Sequence, residues 1–161
     1  MTLNLLAAFM QSSWLFAIYV FVGHTSTVSV SSVLQGTVTE LLCEVLAVDQ
    51  KDNVVLAYRL KRATYAYRKG HLFITDIIDC EHVFGEVDCF ICRADDNKWH
   101  ILLKMFDYVS HFHSYAVREK TSLTYHLLTF SDLSDHRAVF GYMKLCGNRR
   151  VKFVILYFND H

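Results

Sequence analysis

The feature that most constrains this chain is a series of short apolar segments, each closed by a cluster of Asp, Asn, Lys, Arg or Gly. Segments this short are too brief for stable helices and suit strands joined by turns. Thr37 to Val48 is rich in β-branched and apolar residues and ends at Asp49-Gln50-Lys51-Asp52-Asn53, which predicts a strand and a polar loop. Val54 to Tyr67 and His71 to Ile78 flank Arg68-Lys69-Gly70 and predict a hairpin turning at Gly70. Val83 to Cys92 holds one strand or two short ones. Lys98 to Lys104 follows the turn Asp95-Asp96-Asn97. Val109 to Val117 and Ser122 to Phe130 form a second predicted hairpin, joined by Arg118-Glu119-Lys120-Thr121.

The period then changes. Between Asp132 and Gly147 the apolar residues Val139, Phe140, Met143 and Cys146 stand at helical spacing. Asp132 or Ser134 suits the N-cap, because its side-chain oxygen accepts from an otherwise unpaired N–H. Gly147 suits the C-terminal stop, and Val151 to Phe158 predicts a last strand. Many strands, one helix and a final strand predict a mostly β chain: an up-and-down antiparallel barrel, closed, with one C-terminal helix packed outside.

The 161 residues suffice for one domain with a core. Hydrophobic residues make up 53%, enough to line a cavity as well as fill an interior. Net charge is zero, and the 16 Lys and Arg, all at or after Lys51, are scattered among acids. That excludes nucleic acid as the expected partner, since phosphate binding needs a concentrated basic face. Leu5 to Val22 is apolar apart from Gln11, Ser12 and Ser13. It reads as a secretory signal peptide over 1–28, cut between Gly23 and Val28, ahead of a folded domain over 29–161. A signal anchor is the competing reading, and only then is a membrane a partner.

Five cysteines leave at least one thiol without an intrachain partner. Cys89-Phe-Ile-Cys92 has redox-motif spacing, but its flanks read as strand. In a strand the two Cα atoms would lie about 10 Å apart, too far for a bridge. His111 and His113 share a strand face, yet no third ligand can be placed, so neither a metal nor any other cofactor is expected. No nucleophile elbow, Gly-rich phosphate loop or His-Glu-x-x-His is present, so an enzyme is not expected.

Three stretches carry a resemblance. Glu40-Leu-Leu-Cys-Glu-Val-Leu-Ala-Val-Asp-Gln-Lys-Asp-Asn-Val54 looks like the first strand and loop of odorant- and pheromone-binding lipocalins. Lys120-Thr-Ser-Leu-Thr-Tyr-His-Leu-Leu128 resembles their late strand. Asp132-Leu-Ser-Asp135, Phe140, Leu145-Cys146, Val154-Ile-Leu156 and Asn159-Asp160 resemble their helix and last strand. Thr39-Glu40-Leu41 stands where that family has Gly-x-Trp, and the middle of the chain is one strand shorter.

The resemblance implies a secreted, extracellular carrier of a small hydrophobic ligand, an odorant, pheromone or lipid-like molecule, as a monomer or homodimer. Its ligand would lie in a cup lined by alternate residues of each strand. The strand phase groups Phe112, Ser114 and Ala116 on one face and Leu123, Tyr125 and Leu127 on another. The family pattern turns both faces inward, together with Phe73, Thr75 and Trp99, and adds Tyr58 and Leu60 from a strand that alternates less cleanly. A phenol at Tyr125 would narrow the cup and offer one hydrogen bond. The same side chains would equally fill a packed core. The alternatives are a secreted or anchored β-rich interaction protein without a cavity, and a degenerate lipocalin.

Overall fold

The computed structural model describes residues 20–62, 65–79, 81–111, 114–119, 124–133 and 137–155. The chain is mostly β, and its pairings are antiparallel. Twelve strands are present among the described residues: β1 (Val20–Val22), β2 (Thr25–Ser29), β3 (Asn53–Ala57), β4 (Arg59–Arg62), β5 (Tyr65–Arg68), β6 (Leu72–Ile78), β7 (Glu81–Arg93), β8 (His100–His111), β9 (Ser114–Glu119), β10 (Tyr125–Leu128), β11 (Phe140–Cys146) and β12 (Arg149–Ile155).

The spine is the long β7–β8 pair, in register from Phe84 opposite Phe106 to Ile91 opposite His100. Each spine strand is long enough to take two neighbours in succession. β7 pairs with β6 along its first half and with β3 along its second. β8 pairs with β10 at Ile101–Lys104 and with β9 at Phe106–His111. The longest path through the sheet runs β11-β12-β9-β8-β7-β3-β2. Among the described residues no pairing joins β2 to β11. β1, β4 and β5 form a separate three-stranded ribbon.

The upper half of the sheet is buried on both faces. On one face Val54, Leu56, Cys89, Ile91, Leu102 and Leu127 pack with Val38, Leu42 and Leu46. On the other face Ala57, Val87, Phe90, Ile101, Leu103 and Met105 pack with Leu60 and Tyr67 of the ribbon and with Phe130 and Leu133. A sheet covered on both sides needs apolar residues at consecutive positions, not alternate ones. Phe90-Ile91-Cys92 and Ile101-Leu102-Leu103 are such runs. A bulge between Val87 and Cys89 keeps both residues usable, since it turns Val87 to one core and Cys89 to the other.

Two assignments made from the sequence are corrected. The segment predicted as the first strand, Thr37 to Val48, is an α-helix, α1 (Thr39–Leu46). Val38, Leu42 and Leu46 recur every four residues and are buried, while Glu40 and Glu44 face solvent. That spacing is a helical stripe, and Ala47 ends it at φ +52°. Conversely, the predicted C-terminal helix is absent. Asp132 lies in a 3-10 turn (Phe130–Asp132), and Phe140–Cys146 is β11, paired with β12 from Phe140 opposite Ile155 to Cys146 opposite Arg149. Gly147-Asn148 is a two-residue hairpin turn, with Gly147 at φ +62°. Glycine is a stop signal for a helix and a turn signal for a hairpin, and here the sheet decided between them.

Three boundaries also move. Val54 to Tyr67 is three strands, broken at Tyr58. Gly70 does turn the chain, at φ +90° with His71 N–H donating to the Arg68 carbonyl at 3.1 Å. The turn makes no hairpin, because β5 pairs with β4 while β6 pairs with β7. Val109 to Val117 contains a reversal, since His111 stands opposite Ser114.

Candidate functional site

The ribbon is positioned by its inner face. Leu60 and Tyr67 are cross-strand partners and both are buried against the sheet. The Tyr67 ring lies 5.4 Å from Phe73 and 5.0 Å from Phe130, centroid to centroid. Strand alternation then fixes the opposite face: Arg59 stands opposite Arg68 and Lys61 opposite Ala66, and all four are exposed.

That outer face forms a cleft of about 390 Å³. Its walls are Arg59, Leu60 and Lys61 of β4 and Ala66, Tyr67 and Arg68 of β5, with Gly23 and His71 at its ends. A second cleft, about 450 Å³, lies along the free edge of β5. It shares Ala66, Tyr67, Arg68 and His71 with the first and is closed on the far side by Leu72, Arg137, Ala138 and Val139. Val139 N–H donates to the Leu72 carbonyl at 2.8 Å, which holds that far wall.

Neither cleft has an acidic residue among its lining residues. Among the described residues no carboxylate lies within ion-pair distance of Arg59, Lys61 or Arg68. Arg68 instead points at an imidazole: its Nε lies 3.2 Å from His71 Nε2, and its backbone N 3.4 Å from His71 Nδ1. Neutral imidazole has one acceptor nitrogen, so one of these contacts is a hydrogen bond in a given tautomer. Burial lowers the His71 pKa, and the Arg68 charge lowers it further.

The residues expected to line a cup fall into two groups on opposite sides of the sheet. Leu60, Phe73 and Trp99 belong to the core between sheet and ribbon. Tyr125 and Leu127 belong to the core beneath α1. Burial raises the Tyr125 phenol pKa, and the Asp88 charge raises it further. Thr75 is the extra residue of a bulge between Ile74 and Asp76, and its Oγ1 donates to the Val83 carbonyl at 3.2 Å. Tyr58 is 47% exposed, with Lys69 Nζ 5.4 Å above its ring centre. Phe112 and Leu123 lie outside the described residues, as do the side chains of Ser114 and Ala116. Of the expected set, Leu60 alone lines one of these two clefts.

Sequence reasoning missed Arg59, Lys61, Arg68 and His71. The signal was present in Arg59-Leu60-Lys61-Arg62, where cations flank a buried leucine at strand spacing. The cluster exists only because β4 and β5 pair, and the chain had been read there as one long strand.

Among the described residues no three His, Cys, Asp or Glu side chains are grouped to hold a metal, and no helix is long and apolar enough to cross a membrane. The imidazole of His113 and the side chain of His111 lie outside the described residues. Cys43, Cys89 and Cys92 are free thiols. No protein-family model matches this chain, and no curated protein or solved structure matches it either.

Proposed function

We propose that this chain is a non-catalytic, extracellular carrier of a small, partly apolar molecule, lipocalin-like in its antiparallel scaffold, with its ligand seat outside the sheet core. The observation that carries this reading is the pair of adjoining clefts that share Ala66, Tyr67, Arg68 and His71. Their volumes fall in the usual range for small-molecule sites, roughly 300–1,000 Å³. The cup expected from the sequence is a poorer seat, because its expected lining residues are divided between two packed cores. The first cleft is lined largely by Arg59, Lys61, Arg68 and His71 and the second adds the apolar residues Leu72, Ala138 and Val139; polar groups set orientation and apolar surface sets affinity.

The test is uptake of a neutral fluorescent probe, N-phenyl-1-naphthylamine, by the purified protein. Saturable uptake, displaced by unlabelled apolar molecules and weakened by Ala66→Trp, supports the carrier. A folded sample with no saturable uptake overturns it. A second reading, a β-rich interaction protein, is favoured by Ile77 and Ile78, 54% and 55% exposed at the end of β6. It predicts a stable protein complex abolished by Ile77→Asp and no probe uptake.

A further inference from the structure

We infer that the ligand is an amphiphile with an anionic head group, a carboxylate or a phosphate monoester, held between Arg59 and Arg68. The inference rests on the clefts being the ligand seat and adds the chemistry of the ligand. Arg59 and Arg68 are direct cross-strand partners, so their side chains leave the ribbon on the same face. Like charges directly opposite one another destabilise a strand pair. Lys61 adds a third cation two residues along the same face. No carboxylate among the described residues compensates these three. The arrangement is therefore incomplete as a structural element and complete as an anion receptor.

Two guanidiniums suit oxyanions in particular. Each presents a planar fork of N–H donors that matches the oxygens of a carboxylate or phosphate. Arg68 Nε meets His71 and not an acid, so that contact leaves the guanidinium charge uncancelled. The tail is specified by the second cleft. It begins at Arg68 and His71, where the head would sit, and runs past Leu72, Ala138 and Val139, with Arg137 at the same end. An inorganic anion would leave that apolar wall empty, and an uncharged alkane would leave the arginines unpaired.

The experiment is displacement of N-phenyl-1-naphthylamine from the full chain by four competitors: decanoate, decyl phosphate, decanol and inorganic phosphate. Decanoate and decyl phosphate should act at concentrations about tenfold or more below decanol, the difference expected of a charge-assisted hydrogen bond. Inorganic phosphate should displace nothing at those concentrations. Arg59→Gln and Arg68→Gln should each remove most of the preference while decanol still displaces the probe. Because either change relieves the like-charge pair, the thermal midpoint should stay or rise, which separates lost binding from lost folding. Arg59→Lys should retain part of the preference.

Equal potency of decanol and decanoate overturns the anion seat and leaves the carrier intact. A preference that persists in the Arg59→Gln, Arg68→Gln double variant also overturns it. Inorganic phosphate competing as well as decyl phosphate overturns the amphiphile. Binding only to vesicles of anionic lipid, with no uptake of monomeric decyl phosphate, overturns a carried ligand in favour of a membrane surface. Absence of any probe uptake overturns the carrier and this inference together.

Discussion

Gly23 N–H donates to the carbonyl of Arg59 at 3.4 Å, next to the three-residue pairing of β1 with β4. The strand that carries half of the arginine pair is thus held on its other side by residues from the apolar N-terminal region. Removing β1 leaves the edge of β4 unpaired and takes away Val22, which packs with the sheet–ribbon core. A chain beginning at residue 25 should melt lower than one beginning at residue 20, and amides of β4 should exchange faster. Equal midpoints and equal exchange would show that β1 adds nothing. N-terminal sequencing of secreted material bears on the same point, since a cut between Gly23 and Val28 removes β1.

Phe90 is fully buried between sheet and ribbon, its ring stacked on Phe130 with centroids 6.5 Å apart. Phe90→Ala should lower unfolding free energy by about 3–5 kcal/mol, the range for deleting a buried aromatic. Phe90→Leu should cost less. Urea titration measures both, and a loss below about 1 kcal/mol would mean this core is loosely packed.

Gly85 lies where β7 and β8 leave little room for a side chain. A Cβ placed there would lie 3.0 Å from Leu103 Cβ and 3.2 Å from Met105 Sδ. Gly85→Val should destabilise by about 1–3 kcal/mol through overpacking. Adding Met105→Ala should recover part of that loss. Additive effects in the double variant would show that the two positions do not share space.

His100 is buried, and its Nδ1 has no hydrogen-bond partner among the described residues. Burial lowers its pKa and outweighs the opposing hydrogen bond with the Lys98 backbone; the Lys98 charge lowers it further, and Asp96 and Asp132 raise it by smaller amounts. The unfolded chain therefore binds the proton more readily than the folded one. The stabilising contribution is present above the unfolded value, about 6.5, and is lost as pH falls through the folded pKa. His71 shifts in the same direction. Thermal midpoints should fall from pH 7 to pH 5, and His100→Phe should flatten that slope without abolishing it. An unchanged slope would remove His100 from the account.

Cys89 and Cys92 should be slow to alkylate in the native protein. Burial first and Asp88 second push the Cys89 thiol up to about 12. Burial and then Asp96 and Asp95 push Cys92 up to about 11. The thiolate is the reactive species, so at pH 8 both should react with iodoacetamide only on unfolding. Cys43, half-buried on α1, should label earlier. Peptide mapping by mass spectrometry reads each site separately. Native labelling of Cys89 at the rate of Cys43 would contradict its burial.

Much of the β content was legible. Asp49–Asp52 lies in the loop expected there, Gly70 turns the chain although not within the hairpin expected of it, and Leu72–Ile78 is a strand within one residue of its expected start. These are local signals, set by backbone conformations that Gly, Asn and Asp accept. The two helix assignments failed for a shared reason. Short apolar runs fit both periods, and what a segment packs against decides between them. Val38, Leu42 and Leu46 form a stripe only because a sheet face lies beneath them. Phe140–Cys146 is a strand because β12 returns beside it across Gly147-Asn148.

The sequence by itself determined an antiparallel, β-rich chain with defined turns, because turn chemistry and β-branched runs act through neighbours along the chain. Tertiary structure alone decided that the part of the sheet around β3, β7 and β8 is buried on two faces, which divides Phe73 from Leu127. It also decided that Arg59 meets Arg68. That meeting depends on register, and register is fixed by Leu60 and Tyr67 seeking the same core from two strands.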